Sequence, residues 1–338
     1  MSMRIPILLS LAAALVFSGC TSTRQEPLPP DHLHAAMVMT KEQQASAVPT
    51  DSGVLRYEPA TGEWHRRGPT IQMISSATSD PSDPQSLFYA CGNGIARSTD
   101  GGVTWRLVTG WRESDVLQIA VDPENGDNVY AASAWGVIVS RDGGDTWQYA
   151  NTGLEEYFAK GIAIDHRDPS RLILATTRGL YESRDQARHW QRNRDMPEVA
   201  VLRLRRGVDS PDTWLAGTEG RGVWVSHDDG HDWRAVAPEL DGQNIYAVAV
   251  DPFDSAHLAA AGWDTGVWIS TSRGGRWSRS SASLPSPNVT AMTFDENVQG
   301  RLWVSTFEEG TFYSDDDGNS WHGPHLFGAY VFDLVFLP

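Results

Sequence analysis

The fold of this chain is decided by a short stretch of sequence, STDGGVTW at residues 98–105. The tryptophan that ends it belongs to a series spaced 41 to 44 residues apart, which uses seven of the 14 tryptophans. The series consists of Trp64, Trp105, Trp147, Trp190, Trp233, Trp277 and Trp321. Such regular spacing is the signature of a repeat architecture in which similar units pack side by side.

The octapeptide that ends at each tryptophan is repeated as well. Clear copies are SRDGGDTW at 140–147, SHDDGHDW at 226–233 and SDDDGNSW at 314–321, and degenerate copies are SRDQARHW at 183–190, STSRGGRW at 270–277 and YEPATGEW at 57–64. The Asp side chain can accept bonds from backbone N–H groups further on, Gly supplies positive φ, and Trp covers the hairpin. We therefore predict a structural role, and no metal or catalytic role, for Asp100, Trp105, Asp142, Trp147, Asp185, Trp190, Asp228, Trp233, Trp277, Asp316 and Trp321.

This pattern resembles the Asp-box, S-x-D-x-G-x-T-W, also called the BNR repeat, over residues 53–338. The Asp-box occurs in sialidases, sortilin-type receptors, xyloglucanases and photosystem assembly factors. Other parts of each unit repeat too, such as LQIAVDP at 117–123 and NVYAA at 128–132. Short apolar runs bounded by Gly, Pro and Asp indicate strands, and four strands per unit indicate a propeller blade.

The two ends of the chain complement each other. Residues 329–337 match the first strand of a unit, whereas residues 46–64 match the last three strands. Joining both ends in one blade would remove the sheet edges of an open ring. We therefore predict an all-β, single seven-bladed β-propeller of four-stranded antiparallel blades over residues 46–338, closed by N- and C-terminal strands in one blade and monomeric.

The N-terminus has the pattern of a secretory signal over residues 1–19, with Arg4 followed by a short apolar run. Its end, Phe17-Ser18-Gly19-Cys20, resembles the lipobox of bacterial lipoproteins, which implies that Cys20 is lipidated. A plain signal peptide that ends in Cys is the alternative. Residues 20–45 are rich in Pro and polar residues and predict a flexible tether. We expect lipid anchoring in the bacterial cell envelope at the outer membrane, because Thr21 differs from the Asp of inner-membrane retention.

Charge and composition exclude several classes of function. The formal net charge is −16, and such an acidic chain repels phosphate backbones, so nucleic acid is not an expected partner. Of the two cysteines, Cys91 lies in an apolar run and is expected to be buried. No His or Cys pair has the spacing of a metal site, and we expect neither a metal nor a cofactor.

Ligand binding is expected on one face of the disc. The Asp-box turns are nearly uniform, whereas the turns between strands two and three and the links between blades differ strongly, and variable loops on a regular scaffold usually carry binding. Aromatic and Arg residues are typical interface anchors, and flat rings also suit sugars. The predicted ligand-binding residues are Trp111, Arg112, Trp135, Arg178, Glu219, Arg221, Trp263, Asp264, Glu308, Glu309 and Tyr330.

Arg203 and Arg205 interrupt an otherwise apolar first strand. A buried Arg must be paired, so we predict an ion pair between blades in preference to a ligand contact.

Two functions remain open. The first is a membrane-anchored extracytoplasmic binding or assembly module for a protein or glycan partner, without enzymatic activity. The second is a glycoside hydrolase, which would need two carboxylates about 5–9.5 Å apart among Glu219, Asp264, Glu308 and Glu309. A sialidase fits poorly, because the Arg-Ile-Pro motif of that family occurs only at Arg4–Pro6, inside the signal segment. Xyloglucanases join two such propellers, whereas this chain offers one.

Overall fold

The computed structural model describes residues 31–39, 52–71, 73–207, 212–280 and 283–338. The predicted signal segment 1–19, Cys20 and most of the predicted tether lie outside these residues. The described chain forms seven four-stranded antiparallel sheets, and its one helical element is the short 3-10 turn Pro238–Leu240. The predicted all-β fold with seven blades is therefore confirmed.

Blades 1 to 6 follow the chain in order, each with four consecutive strands. Blade 1 contains β4 (Ile74–Asp80), β5 (Asp83–Cys91), β6 (Gly94–Ser98) and β7 (Arg106–Leu107). Blade 2 contains β8 (Val116–Val121), β9 (Val129–Ser133), β10 (Gly136–Ser140) and β11 (Gln148–Tyr149). Blade 3 contains β12 (Ala159–Ile164), β13 (Leu172–Thr176), β14 (Gly179–Ser183) and β15 (Gln191–Arg192).

The next three blades repeat this arrangement. Blade 4 contains β16 (Val201–Arg206), β17 (Trp214–Thr218), β18 (Val223–Ser226) and β19 (Arg234–Val236). Blade 5 contains β20 (Ile245–Val250), β21 (Leu258–Gly262), β22 (Gly266–Ser270) and β23 (Ser278–Arg279). Blade 6 contains β24 (Val289–Phe294), β25 (Leu302–Thr306), β26 (Gly310–Ser314) and β27 (His322–His325).

Blade 7 closes the ring and joins both parts of the chain. It contains β28 (Ala329–Leu337), β1 (His32–Met39), β2 (Gly53–Glu58) and β3 (Glu63–Arg66), in that order from the inside outward. Strand β1 lies within residues 20–45, for which the sequence predicted a tether, so the start of the propeller moves from residue 46 to His32. The reason is the apolar run of β1, most of which is buried between β28 and β2.

The hydrophobic core lies between neighbouring blades. The seven first strands β4, β8, β12, β16, β20, β24 and β28 contact one another in a closed circle around a central channel. Between blades 2 and 3, for example, Tyr130 and Val139 pack with Ile162, Leu174 and Trp190. Because every blade is covered on both sides in this way, apolar residues on both faces of a strand are buried.

The two faces of the disc are built from different turns. On the Asp-box face, the turns between third and fourth strands bond to the turns that follow the first strands, as Gly143 N–H does to Asp127 O at 3.0 Å. On the linker face, the turns between second and third strands bond to the links between blades, as Ala134 N–H does to Asp115 O at 3.1 Å.

Candidate functional site

The Asp-boxes use their polar groups to close their own hairpins. In blade 1, Ser98 Oγ donates to Asp100 Oδ1 at 2.7 Å and accepts from Gly102 N–H at 2.8 Å. Asp100 Oδ2 accepts the Thr104 hydroxyl at 2.6 Å, and Trp105 Nε1 donates to Gly102 O at 2.9 Å. The hydroxyl and backbone donors of Thr104 hold the pKa of Asp100 at about 2. This carboxylate is therefore ionised at neutral pH and engaged by the donors of its own turn.

The other boxes keep the same role with different side chains. Asp142 and Asp316 accept the same set of bonds, and each has a pKa of about 2. In blade 3, His189 takes the position of the threonine and its Nδ1 lies 2.8 Å from Asp185 Oδ2. In blade 5, Ser272 replaces the aspartate, and its Oγ accepts from Arg276 N–H at 2.9 Å.

Exposed aromatic side chains instead gather on the linker face, around the outer part of blade 2. Trp111, Trp135, Tyr149 and Tyr157 line an open cavity of about 460 Å³, together with Arg112, Ser114 and Asn151; we call these seven residues the aromatic cleft. The links on both sides of blade 2 and its own second turn supply most of the cleft. Trp111 is 83% exposed and Trp135 is 56% exposed.

Hydrogen bonds fix the walls of the aromatic cleft. Tyr149 Oη donates to Arg112 O at 2.6 Å, which ties the fourth strand of blade 2 to the preceding link. Trp135 Nε1 donates to Asp115 Oδ2 at 3.3 Å, and the Arg112 guanidinium lies 5.0 Å from the centre of the Trp111 ring. Tyr149 and Trp135 are therefore held in place, and Trp111 and Trp135 keep more than half of their surface in contact with water.

The predicted residues Trp111, Arg112 and Trp135 thus come together, and the structure adds Tyr149 and Asn151, which sequence reasoning missed. Tyr149 stands two residues after the Trp147 of the Asp-box, in the short strand β11. An aromatic residue two positions after the tryptophan of an Asp-box is the sequence feature that could have indicated Tyr149.

A second aromatic group, the aromatic ladder, crosses blades 5, 6 and 7 on the same face. It consists of Trp263, Phe307, Tyr330 and Phe332, with successive ring centres 5.4, 5.6 and 4.5 Å apart. The ladder includes the predicted residues Trp263 and Tyr330. The predicted carboxylates Asp264, Glu308 and Glu309 lie on the turns beside it, exposed to solvent.

The remaining predicted residues lie on blades 3 and 4, apart from both aromatic groups. Arg178 pairs with Glu198 at 2.8 Å and approaches Glu155 at 3.8 Å. Glu219 and Arg221 are exposed at the turn that follows β17. The eleven predicted ligand-binding residues therefore do not form a single continuous site: three line the aromatic cleft, five lie at the aromatic ladder, and Arg178, Glu219 and Arg221 lie apart from both.

The central channel is crossed by the ion pair that the sequence predicted for Arg203 and Arg205. Both guanidinium groups reach Asp333 on β28, across the channel from their own strand β16, and the Arg203 contact measures 3.5 Å. Arg203 Nη2 also donates to Phe332 O at 2.6 Å. Burial lowers the pKa of Arg203 to about 10, which leaves it charged at neutral pH. The two arginines are structural partners of the closing blade.

No metal centre is evident in the residues that the structure describes. Two carboxylates, Asp165 and Asp229, do contact each other, but they lie on the Asp-box face and share Arg171, whose Nη1 is 3.3 Å from Asp165 and 3.6 Å from Asp229. No cluster of three or more His, Cys, Asp or Glu side chains there could hold a metal ion. Glu219, Asp264, Glu308 and Glu309 are all exposed at turns, outside any enclosed cleft. Cys91 is buried in β5, its Sγ lies 3.1 Å from Gly94 O, and burial raises the pKa of its thiol. Within the described ranges, no helix has the length and hydropathy that crossing a bilayer requires.

Comparison with known proteins agrees with this architecture. The family described as Sortilin, neurotensin receptor 3, matches residues 221–327. None of the curated protein sequences compared with the chain matches it.

Three solved structures illustrate the fold. The GH74 enzyme of Niastella koreensis has a TM-score of 0.69 at 16% identity, over 87% of this chain and 54% of that one. The GH74 xyloglucanase of Xanthomonas campestris has a TM-score of 0.61 at 20% identity, over 74% and 45%. YCF48 bound to D1 peptide has a TM-score of 0.57 at 16% identity, over 76% and 82%. This chain spans about half the length of the two GH74 enzymes. It is a seven-bladed β-propeller with BNR-type repeats that resembles the sortilin, GH74 and YCF48 propellers.

Proposed function

We propose that this protein is a binding or assembly module of the bacterial cell envelope, which recognises a protein or glycan partner through its linker face. One observation carries the proposal: the aromatic cleft and the aromatic ladder both lie on that face, whereas the Asp-box carboxylates are occupied by their own turns. Clustered exposed aromatic surface is costly in water and marks interaction sites. Structures of the same fold include a peptide complex and glycan-degrading enzymes, so the fold accommodates both kinds of partner.

Anchoring forms part of the proposal. The lipobox-like Phe17–Cys20 would place a lipid on Cys20, since two or three acyl chains give stable attachment where one is marginal. Metabolic labelling with an alkyne fatty acid should mark the full-length chain but not its Cys20→Ser variant. An unlabelled wild-type chain would contradict the anchor.

Site-specific photo-crosslinking tests the proposed face. Benzoylphenylalanine would replace Trp111 on the linker face or Val103 on the Asp-box face, and the two side chains are matched in exposure at 83% and 81%. In envelope extracts, position 111 should yield a discrete adduct that position 103 does not. Equal adducts from both positions, or none from 111, would contradict the assignment of the face.

The aromatic ladder can be tested separately. Replacing Trp263 and Asp264 together by Ala should weaken partner binding without unfolding the domain, because both side chains are exposed. Release of reducing sugar from any envelope glycan by the wild-type chain would favour the hydrolase alternative, whose carboxylate candidates lie beside the ladder.

A further inference from the structure

The charge around the aromatic cleft is negative. Asp115 accepts from Trp135 Nε1, and Glu156 Oε1 accepts from the backbone N–H groups of Tyr157 and Phe158 at 3.0 and 3.1 Å. The charge of Glu113 contributes to a raised pKa of Tyr149, after burial. These carboxylates would repel an acidic polymer that entered the cleft, because salt screens charges only weakly at separations below about 8–10 Å.

The one cation that lines the cleft is already engaged. Among the described residues that form the cleft, Arg112 alone is positive, and its guanidinium lies over the Trp111 ring. This internal cation–π contact lies on one face of Trp111, so a lysine or arginine of a basic peptide would have to compete with Arg112 for that face. The other indole and phenol surfaces remain open to an uncharged partner.

A neutral pyranose matches both properties of the cleft. One side of the ring presents C–H groups that pack on a flat aromatic surface, and its edge presents hydroxyl donors. Asp115 and Asn151 place carboxylate and amide groups beside the rings, and each carboxylate oxygen can accept more than one bond. The volume of about 460 Å³ falls in the ~300–1,000 Å³ range of ligand pockets, and the cleft is open to solvent, as a polymer requires.

We infer that the aromatic cleft is a binding site for a neutral polysaccharide, with a sugar ring stacked between the side chains of Trp111 and Trp135. This inference rests on the proposed function, since it names the partner class for part of the linker face. The negative charges of Glu113, Asp115 and Glu156 repel uronic-acid polymers and acidic peptides. A basic peptide is the competing occupant.

Affinity electrophoresis of the full chain tests the site. The probes are three neutral polymers (hydroxyethylcellulose, dextran and galactomannan), with polygalacturonate and polylysine as charged comparisons. At least one neutral polymer should retard the wild-type chain, and polygalacturonate should not. Trp111→Ala with Trp135→Ala should reduce the affinity about tenfold or more, as loss of interface anchors does.

Matched variants separate binding from folding. Phe253→Ala removes a ring that is 48% exposed and is not part of the cleft, and it should leave retardation unchanged. Trp135→Phe keeps a flat ring and should retain more affinity than Trp135→Ala. Retardation by none of the neutral polymers, or equal retardation of the double variant, would overturn the inference. Two other results would refute the inference while the proposed function stood. In the first, polylysine is the one polymer that retards the wild-type chain more than the double variant. In the second, position 111 cross-links only to a protein.

Discussion

Replacing Asp333 by Asn should destabilise the propeller by about 3 kcal/mol, because it leaves two largely buried arginines facing each other without a carboxylate. Removing one partner of a buried ion pair costs about 3–5 kcal/mol. The lower end applies here, since the side chains of Arg203 and Arg205 remain 18% and 23% exposed. Arg203 also keeps its bonds to Phe332 O and Tyr246 O.

The assay is urea unfolding at pH 7, followed by tryptophan fluorescence. The midpoint should fall while the slope of the unfolding free energy against urea stays the same, because the surface exposed on unfolding does not change. Asp315→Asn is the matched control: its partner Arg301 lies 2.7 Å away, but the Asp315 side chain is 47% exposed, against 5% for Asp333, and its loss should cost at most about 1 kcal/mol.

A third variant separates pairing from packing. Changing Asp333 to Leu together with Arg203 and Arg205 to Met removes all three charges, and it should recover most of the stability lost in Asp333→Asn. A loss below about 1 kcal/mol in Asp333→Asn, equal to that of the surface control, would refute the account of the channel as a buried bridge.

Three further predictions concern the blades themselves. Burial, and then the charge of Arg67, lowers the pKa of His34 from 6.5 to about 3, so the folded state stays neutral while the unfolded state takes up a proton. Stability should therefore fall by up to about 1.4 kcal/mol per pH unit as the pH drops below about 6.5, and His34→Asn should reduce this slope in urea unfolding at pH 7 to 4. Gly144→Ala should cost about 2–4 kcal/mol by the same assay, because Gly144 has φ +94° and a Cβ there would lie 2.8 Å from Phe88 Cε1. Gln186→Gly should stabilise by about 0.5–1 kcal/mol, because Gln186 has φ 59° in a position where the Asp-boxes of blades 1 and 2 have Gly101 and Gly143.

Each of these three predictions can be contradicted by a specific result. Gly242 has a similar φ of +84° with nothing near its would-be Cβ, so Gly242→Ala should cost only the backbone strain of about 1–2 kcal/mol; equal losses at both glycines would contradict the packing argument. An unchanged pH slope in His34→Asn would show that the histidine is protonated in the folded state. A less stable Gln186→Gly variant would show that its side chain contributes more than the backbone strain costs.

The number of blades could be predicted from the sequence because each Asp-box is a local structure. Its bonds span two to four residues, so the octapeptide specifies a hairpin wherever it occurs. The meander then determines which turns share a face, and for this reason Trp111 and Trp135 were expected on the face where they meet.

Other features depend on contacts that no local pattern encodes. The partner of Arg205 is 128 residues away, and only the closed ring brings β16 opposite β28. Strand β1 has no Asp-box of its own and follows a Pro-rich segment, so the local pattern alone assigns its apolar run to the tether. Tyr149 was missed because the fourth strand has only two residues in blade 2.

The position at which the chain enters the propeller determines which face of the disc lies near an N-terminal anchor. Asn297 Nδ2 donates to Asp31 O at 2.7 Å, and His32 pairs with Leu337, so the chain joins the ring at its Asp-box side. The eleven peptide units from Cys20 to Asp31 span at most about 40 Å. A lipid on Cys20, as proposed, would keep the Asp-box face close to the bilayer. The aromatic rings of the linker face would then point away from the membrane, where large partners can approach.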